Sequence, residues 1–284
     1  MIGRLGIVGL GLIGGSLAFA ARRAGICTAV LGADQNGTCA ERALALGAID
    51  RVVSTEDLPA AADTLVLAVP MGAMRAVLAA LAPGLRGDSV VTDVGSVKGS
   101  VIADAEATLG SRIGRFVGGH PIAGTEKSGI DAAFAELFEG RRVLITPTPA
   151  SEADAVERVR LLWRAAGAVV EALDWRHHDE VLAATSHLPH MLAFGLVDSL
   201  ARKGERAEIF RYAAGGFRDF TRIASSDPVM WRDVCIHNRA ALLNAMAAYR
   251  ADLDELAEAI ERGDAAALEA IFRRAKRARD TFCC

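Results

Sequence analysis

Long apolar runs are missing from this 284-residue chain. Its alanine-rich stretches are broken every few residues by charge, short of the roughly 18 consecutive apolar residues of a membrane span. A one-sided charge is missing as well: the formal net charge is −3, and the basic residues Arg273, Arg274, Lys276, Arg277 and Arg279 stand among acids. That excludes the basic footprint of a nucleic-acid-binding protein. Only 8 prolines accompany 28 glycines, and 52 % of residues are hydrophobic, so neither a disordered nor a fibrous chain is expected. The five cysteines, Cys27, Cys39, Cys235, Cys283 and Cys284, are odd in number and lack metal-ligand spacing. They read as small core residues and a frayed terminal pair. The N-terminus offers one Arg, a short apolar strand and then glycines, with no small-residue cleavage site, so a cytoplasmic address is the default expectation.

What is present is an alternating pattern. The length exceeds one hydrophobic core of ordinary size and predicts two domains, 1–173 and 174–284. Up to residue 173, β-branched runs at 5–8, 29–32, 64–69, 89–94, 115–118, 142–146 and 168–173 alternate with helix-length segments such as 15–24, 71–81 and 152–166. This is the signature of βαβ units, and it predicts an α/β fold with a doubly wound, mostly parallel sheet followed by an all-helical C-terminal domain. In the second half, 179–200 reads as one helix kinked by the internal Pro189. Ser226-Asp227-Pro228 reads as the start of another helix running to about 262, on the order of 50 Å long. Along it Leu242, Met246, Tyr249, Leu253, Leu256 and Ile260 recur at spacings of 4, 3, 4, 3 and 4. That heptad seam fits either a groove of its own chain or a second copy, and a homodimer through these helices is the sharper expectation. Asp264 reads as the cap of a last helix, 265–279.

The glycine sequence Gly9-Leu10-Gly11-Leu12-Ile13-Gly14 follows the first strand and opens the first helix, which is the context in which G-x-G-x-x-G has meaning. Gly9 permits the tight turn, Gly11 lets backbone approach a pyrophosphate, Gly14 lets helix and strand pack closely, and the amides of Leu12 and Ile13 face the anion. Asp34, at the end of the second strand, can accept hydrogen bonds from ribose hydroxyls and repel a 2′-phosphate, which points to NAD. Further candidates lie at the carboxyl ends of later strands, where open α/β sheets bind ligands: Val69 and Pro70, then Ser96, then His120. Histidine is the natural general base for taking a hydroxyl proton at neutral pH while hydride leaves the same carbon, and the Ser96 hydroxyl can orient that hydroxyl or the histidine. In the helical half His187 and His190 share one helix face; with no third ligand at a telling spacing, anion binding or packing is favoured over a metal. Arg218, Asp219 and Arg222 fall within one helical turn, and an arginine fork can grip a carboxylate through two hydrogen bonds.

Together, G-L-G-L-I-G-G-S at 9–16, D-V-G-S-V-K at 93–98, G-H-P-I-A-G-T-E-K-S-G at 119–129, S-H-L-P-H at 186–190 and G-G-F-R-D-F-T-R-I-A-S-S-D-P-V-M-W at 215–231 resemble the prephenate dehydrogenase family. The resemblance spans nearly the whole chain. It implies NAD-dependent oxidative decarboxylation of prephenate or arogenate in tyrosine biosynthesis, with a small-molecule substrate and no nucleic-acid or membrane partner. It further implies that His120 accepts a hydrogen bond from the substrate 4-hydroxyl with support from Ser96, and that Arg222, oriented by Asp219, holds the ring carboxylate. His190 and Trp231 would lie near the side chain of the substrate, Arg218, Thr125 and His187 would join the substrate-binding set, and Glu126 and His178 would be gating or supporting residues. Some relatives have Lys where Arg218 stands, which leaves its contact open. The span 1–284 leaves no room for a chorismate mutase or regulatory domain, so tyrosine feedback would act at the active site. Two other readings compete. One is a β-hydroxyacid-type dehydrogenase, which would need a catalytic lysine where only Lys203 stands. The other is a silent NAD sensor, which needs none of His120, Ser96 or Arg222.

Overall fold

The structure, a computed structural model, describes residues 1–125, 127–204 and 206–282. Eight strands form one sheet in the order β3-β2-β1-β4-β5-β6-β7-β8: β1 Arg4–Val8, β2 Ala29–Ala33, β3 Arg51–Val52, β4 Thr64–Leu67, β5 Val90–Asp93, β6 Phe116–Pro121, β7 Arg142–Thr146 and β8 Val169–Ala172. Pairing is parallel throughout except between β6 and β7. The doubly wound reading therefore holds, with one antiparallel join that the sequence pattern does not announce. The two-residue β3 was also missed, because both of its residues are exposed and show no apolar periodicity.

Buried side chains cover both faces of the sheet. One cluster joins Leu5, Ile7, Val66 and Val117 to Trp163 and Phe138; the other joins Val8, Leu31, Leu65 and Val91 to Met74, Leu78 and Ile102. Burial on both faces is what a parallel sheet between helix layers requires, and it explains why β4 and β5 read as unbroken apolar runs.

From Trp175 onward the described residues form helices. The expected helix 179–200 begins earlier and is not simply kinked at Pro189. The helix Trp175–Leu182 passes into a π-helical turn, Ala183–His187, and then into the helix Leu188–Ala201, with Pro189 in its first turn. Proline has no N–H to donate and its ring crowds the carbonyl four residues back; the widened turn accommodates both. The expected unbroken helix from 228 to 262 is likewise two, Pro228–His237 and Arg239–Glu261, with Asn238 between them. Asp227 caps the first through Met230 N at 2.8 Å, and Asp264 caps the last helix, Ala265–Phe282, through Ala267 N at 3.0 Å. No helix among the described residues is long and apolar enough to cross a membrane.

One carboxylate ties the two halves together by hydrogen bonds to the backbone. Asp179 accepts hydrogen bonds from the backbone amides of Lys98 and Gly99, each at 2.8 Å, where the helix Gly99–Leu109 begins. It thereby satisfies two of that helix's orphan donors and places negative charge at the positive end of its dipole.

Candidate active site

The glycine turn has the geometry its spacing predicts. Gly9 has φ +92°, and a Cβ there would lie 2.3 Å from the Ala68 carbonyl oxygen. A Cβ on Gly14 would lie 2.0 Å from the Gly9 carbonyl oxygen, whereas one on Gly11 would meet nothing within 4 Å. Gly11 is thus the glycine that intrachain packing does not require. It caps the helix Leu12–Arg23, whose first amides, Leu12 and Ile13 among them, lack intrahelical acceptors. Asp34 accepts from Leu10 N and from Asn36 N, each at 2.8 Å, which ties the end of β2 to the glycine turn. Val69, half-buried, and Pro70, exposed, follow β4 on the same side of the sheet. An open glycine, free helix amides and an adjacent carboxylate fit a dinucleotide with an unphosphorylated ribose.

His120 lies near the end of β6, and both it and His178 are buried. Its Nδ1 is 2.9 Å from Nε2 of His178, whose own Nδ1 is 2.8 Å from Asp179 Oδ1. A carboxylate only accepts, so His178 Nδ1 carries a hydrogen. With a single proton on His178, its Nε2 is an acceptor, His120 Nδ1 donates to it, and the lone pair of His120 lies on Nε2. Burial, then the neighbouring His178, Lys98 and His187, hold the His120 imidazole well below its usual range, so the ring stays neutral. Burial pushes the Asp179 carboxyl up, but the hydrogen bonds from His178, Lys98 and Gly99 outweigh it and hold the group below the usual carboxylate range.

A fully buried ion pair underlies this chain. Lys98 Nζ donates to Asp93 Oδ2 and to the Gly119 carbonyl, the latter at 2.5 Å, while Asp93 accepts from Gly95 N at 2.7 Å and from Gly119 N at 3.1 Å. Gly119, the residue preceding His120, is thereby held at both its N–H and its carbonyl. Burial pulls the Lys98 ammonium below its usual range against the pull of Asp93.

The helical half adds three further rings. His190 stacks on Trp231 with centroids 3.6 Å apart and 22° between planes, and His187 meets the same indole edge-on at 6.1 Å. His190 Nδ1 donates to the Ser186 carbonyl at 2.8 Å. Burial pulls His190 below its usual range against that bond, and the positive charge of Arg222 adds to the lowering. Burial carries His187 further, to about 4. Trp231 Nε1 is buried without a hydrogen-bond partner among the described residues, and such a donor is costly unless a ligand receives it.

The structure therefore brings together His120, His178, His187, His190 and Trp231, with Arg222 close enough to act electrostatically on His190. It does not join every expected pair. Among the described residues no hydrogen bond links Ser96 to His120, whose ring partner is His178, and none links Asp219 to Arg222. Arg218 and Asp219 are exposed on the helix Gly215–Thr221, and Arg222 opens the short turn Arg222–Ser225. Thr125 is exposed after β6, its hydroxyl engaged with Lys127. Glu126, like the terminal Cys283 and Cys284, lies outside the described residues. Reasoning from sequence missed Asp179, the Lys98–Asp93 pair and Asn238. Asp179 adjoins His178 and the pair ends the D-V-G-S-V-K segment, so position was a signal for these; Asn238 carried none.

The chain matches the family description "Prephenate dehydrogenase, nucleotide-binding domain" over residues 17–172 and "Prephenate dehydrogenase, dimerization domain" over residues 174–274. It is 40 % identical to a cyclohexadienyl dehydrogenase of Zymomonas mobilis over 97 % of this chain and 94 % of that one. It is 38 % identical to a prephenate dehydrogenase of Bacillus subtilis over 96 % of this chain and 74 % of that one. Among solved structures it superposes on an Aquifex aeolicus prephenate dehydrogenase "in complex with hydroxyphenyl propionate and NAD+" with a TM-score of 0.93 and 39 % identity, covering 99 % of each chain. A Synechocystis arogenate dehydrogenase superposes with a TM-score of 0.85 and 29 % identity, covering 98 % of this chain and 99 % of that one. With both halves matched, and with identity at this level over nearly its full length, the chain belongs to the prephenate dehydrogenase family.

Proposed function

We propose that the chain is an NAD-dependent dehydrogenase that oxidatively decarboxylates prephenate, its amino-acid counterpart arogenate, or both, in tyrosine biosynthesis. The observation that carries this reading is the polarity of His120: a buried, neutral imidazole whose Nδ1–H is committed to His178 and whose Nε2 is free to accept. The substrate's 4-hydroxyl donates to that nitrogen. The glycine turn and Asp34 would hold the pyrophosphate and ribose of NAD+, which when bound would supply the hydride acceptor. As the C4–H bond breaks with its electron pair, positive charge grows on the carbinol carbon and hydroxyl, and the acceptor on His120 stabilises it. The bond to the ring carboxylate then breaks, its electrons complete the aromatic ring, and CO2 departs. The hydroxyl proton remains on the product phenol, so a neutral acceptor serves and a strong base is not needed.

Arg222, with His190, His187 and the unpaired Trp231 Nε1, forms the polar surface for the carboxylates and the side chain; guanidinium and carboxylate pair through two hydrogen bonds. His178 and Asp179 orient His120. The division at 173/174 separates cofactor binding from substrate binding. The chain pairs with a second copy through its C-terminal helices: Met246, Tyr249, Leu253 and Ile260 of the heptad seam are exposed in the single chain, as is Phe272 on the last helix, and apolar exposure of this extent on adjoining helices favours a partner.

NADH formation with prephenate and with arogenate tests the reading. Turnover with at least one is expected, and His120→Asn abolishes it while NAD+ still binds. Absence of turnover with both, or an equal loss of NAD+ affinity in the variant, refutes it.

A further inference from the structure

A buried amide in the helical half has no part in the reading above. Asn238 interrupts the run between the helices Pro228–His237 and Arg239–Glu261, with φ −104° and ψ 30°, and is 5 % exposed. Its Nδ2 donates to the Asp179 backbone carbonyl at 2.9 Å and lies 3.0 Å from Nδ1 of His187. A carbonyl only accepts, so the group facing Asp179 is the NH2; the reversed amide would set two acceptors against each other in a buried place. The second hydrogen of that NH2 then meets His187 Nδ1. One N–H cannot receive another, so Nδ1 is the bare nitrogen and the ring proton sits on Nε2.

From this polarity we propose that Asn238 is a positioning residue for catalysis: it fixes the tautomer of His187, so that the imidazole presents an Nε2–H donor to a substrate carboxylate or carbonyl. The proposal rests on the reading of His187 as facing the substrate. The site then holds two neutral imidazoles of opposite polarity, an acceptor on His120 set by His178 and a donor on His187 set by Asn238. Because burial keeps His187 neutral down to a pKa of about 4, tautomer choice matters: a charged ring would donate from both nitrogens and need no selection. Asn238 also grips the backbone of Asp179, the residue that anchors His178, so both orientations refer to one point in the fold.

The test uses the full chain with nitrogen-15 in its histidines, resonances being assigned by single substitutions, at pH 8. The proposal predicts a bare Nδ1 and a protonated Nε2 for His187. A protonated Nδ1 in the unaltered chain overturns it, whatever the variants do. Asn238→Ala is expected to average the two nitrogen shifts and to raise KM for prephenate roughly tenfold, the worth of one hydrogen bond to a charged group, with a much smaller change in kcat. In a His187→Ala background the same substitution should add no further rise in KM; additive losses overturn the coupling. If His187→Ala leaves kcat/KM unchanged while the wild-type shifts are as predicted, the donor role is overturned and the tautomer assignment stands.

Discussion

Replacing His178 by Phe tests the chain that orients His120. The two imidazoles meet edge to face, with centroids 5.1 Å apart and 65° between planes, so a phenyl ring preserves the contact and the burial while removing both hydrogen bonds. Asp179 Oδ1 loses His178 but keeps the Lys98 amide, and Oδ2 keeps the Gly99 amide, so the anchor between the halves survives. His120 Nδ1–H loses its acceptor. An unpaired buried donor costs about 1–3 kcal/mol, and the ring avoids that cost by moving its proton to Nε2, where it opposes the substrate hydroxyl. Either outcome raises the barrier by about that amount, and since about 1.4 kcal/mol is a factor of ten, kcat should fall roughly ten- to a hundredfold. His178→Gln, whose amide oxygen can accept from Nδ1, should recover part of the loss. Initial rates of NADH formation measure the effect, with NAD+ affinity from fluorescence titration as the control. Undiminished kcat in the Phe variant would refute the reasoning, as would a loss confined to NAD+ binding.

Four further outcomes follow from the same contacts. Gly11→Ala should fold and melt like the parent, because its Cβ meets nothing within 4 Å, yet bind NAD+ at least about tenfold more weakly. Gly9→Ala, at φ +92° and with its Cβ 2.3 Å from a carbonyl oxygen, should lower the melting temperature even without cofactor. Lys98→Met strands the Asp93 carboxylate in the core and should cost about 3–5 kcal/mol in urea unfolding, much of it recovered by adding Asp93→Asn. His187 titrates near 4 when folded and near 6.5 when unfolded, so the unfolded chain binds the proton more readily, and stability is full above pH 6.5 and falls as the pH drops towards 4. By linkage that single ring costs up to about 2 kcal/mol at pH 5, and the loss of stability between pH 8 and pH 5 should shrink by that amount in His187→Gln.

The parts of this protein that show in its sequence are those governed by local chemistry. Gly9, Gly11 and Gly14 are legible because backbone turns and close approaches demand glycine at fixed offsets, and the strands are legible because parallel pairing buries both faces. His120 was found by its place at a strand end, without knowledge of its partner. The partner itself, His178, is 58 residues away and reaches it through the packing of a helix whose start the sequence pattern missed by four residues. The break at Asn238 was hidden for the same reason: asparagine is tolerated within helical periodicity, and only the Asp179 carbonyl and the His187 ring, 59 and 51 positions away, reveal why it stands there. Ser96 was singled out by its position at a strand tip; among the described residues no hydrogen bond joins it to His120, whose Nδ1 meets His178 instead.

Asp179 explains why the two halves cannot be tuned independently. Its carboxylate caps the Gly99–Leu109 helix of the sheet half, fixes the proton on His178, and offers its own carbonyl to Asn238. Docking the halves and orienting His178 are therefore linked, since a carboxylate that joins the halves also holds the His178 ring. A loose interface would leave the glycine turn and Asp34 intact, because their contacts lie wholly within the sheet half. Cofactor binding can persist in such a state while the histidines lose their order. That separation makes turnover, and not NAD+ affinity, the sensitive measure of every substitution along the chain from Asp179 to His120.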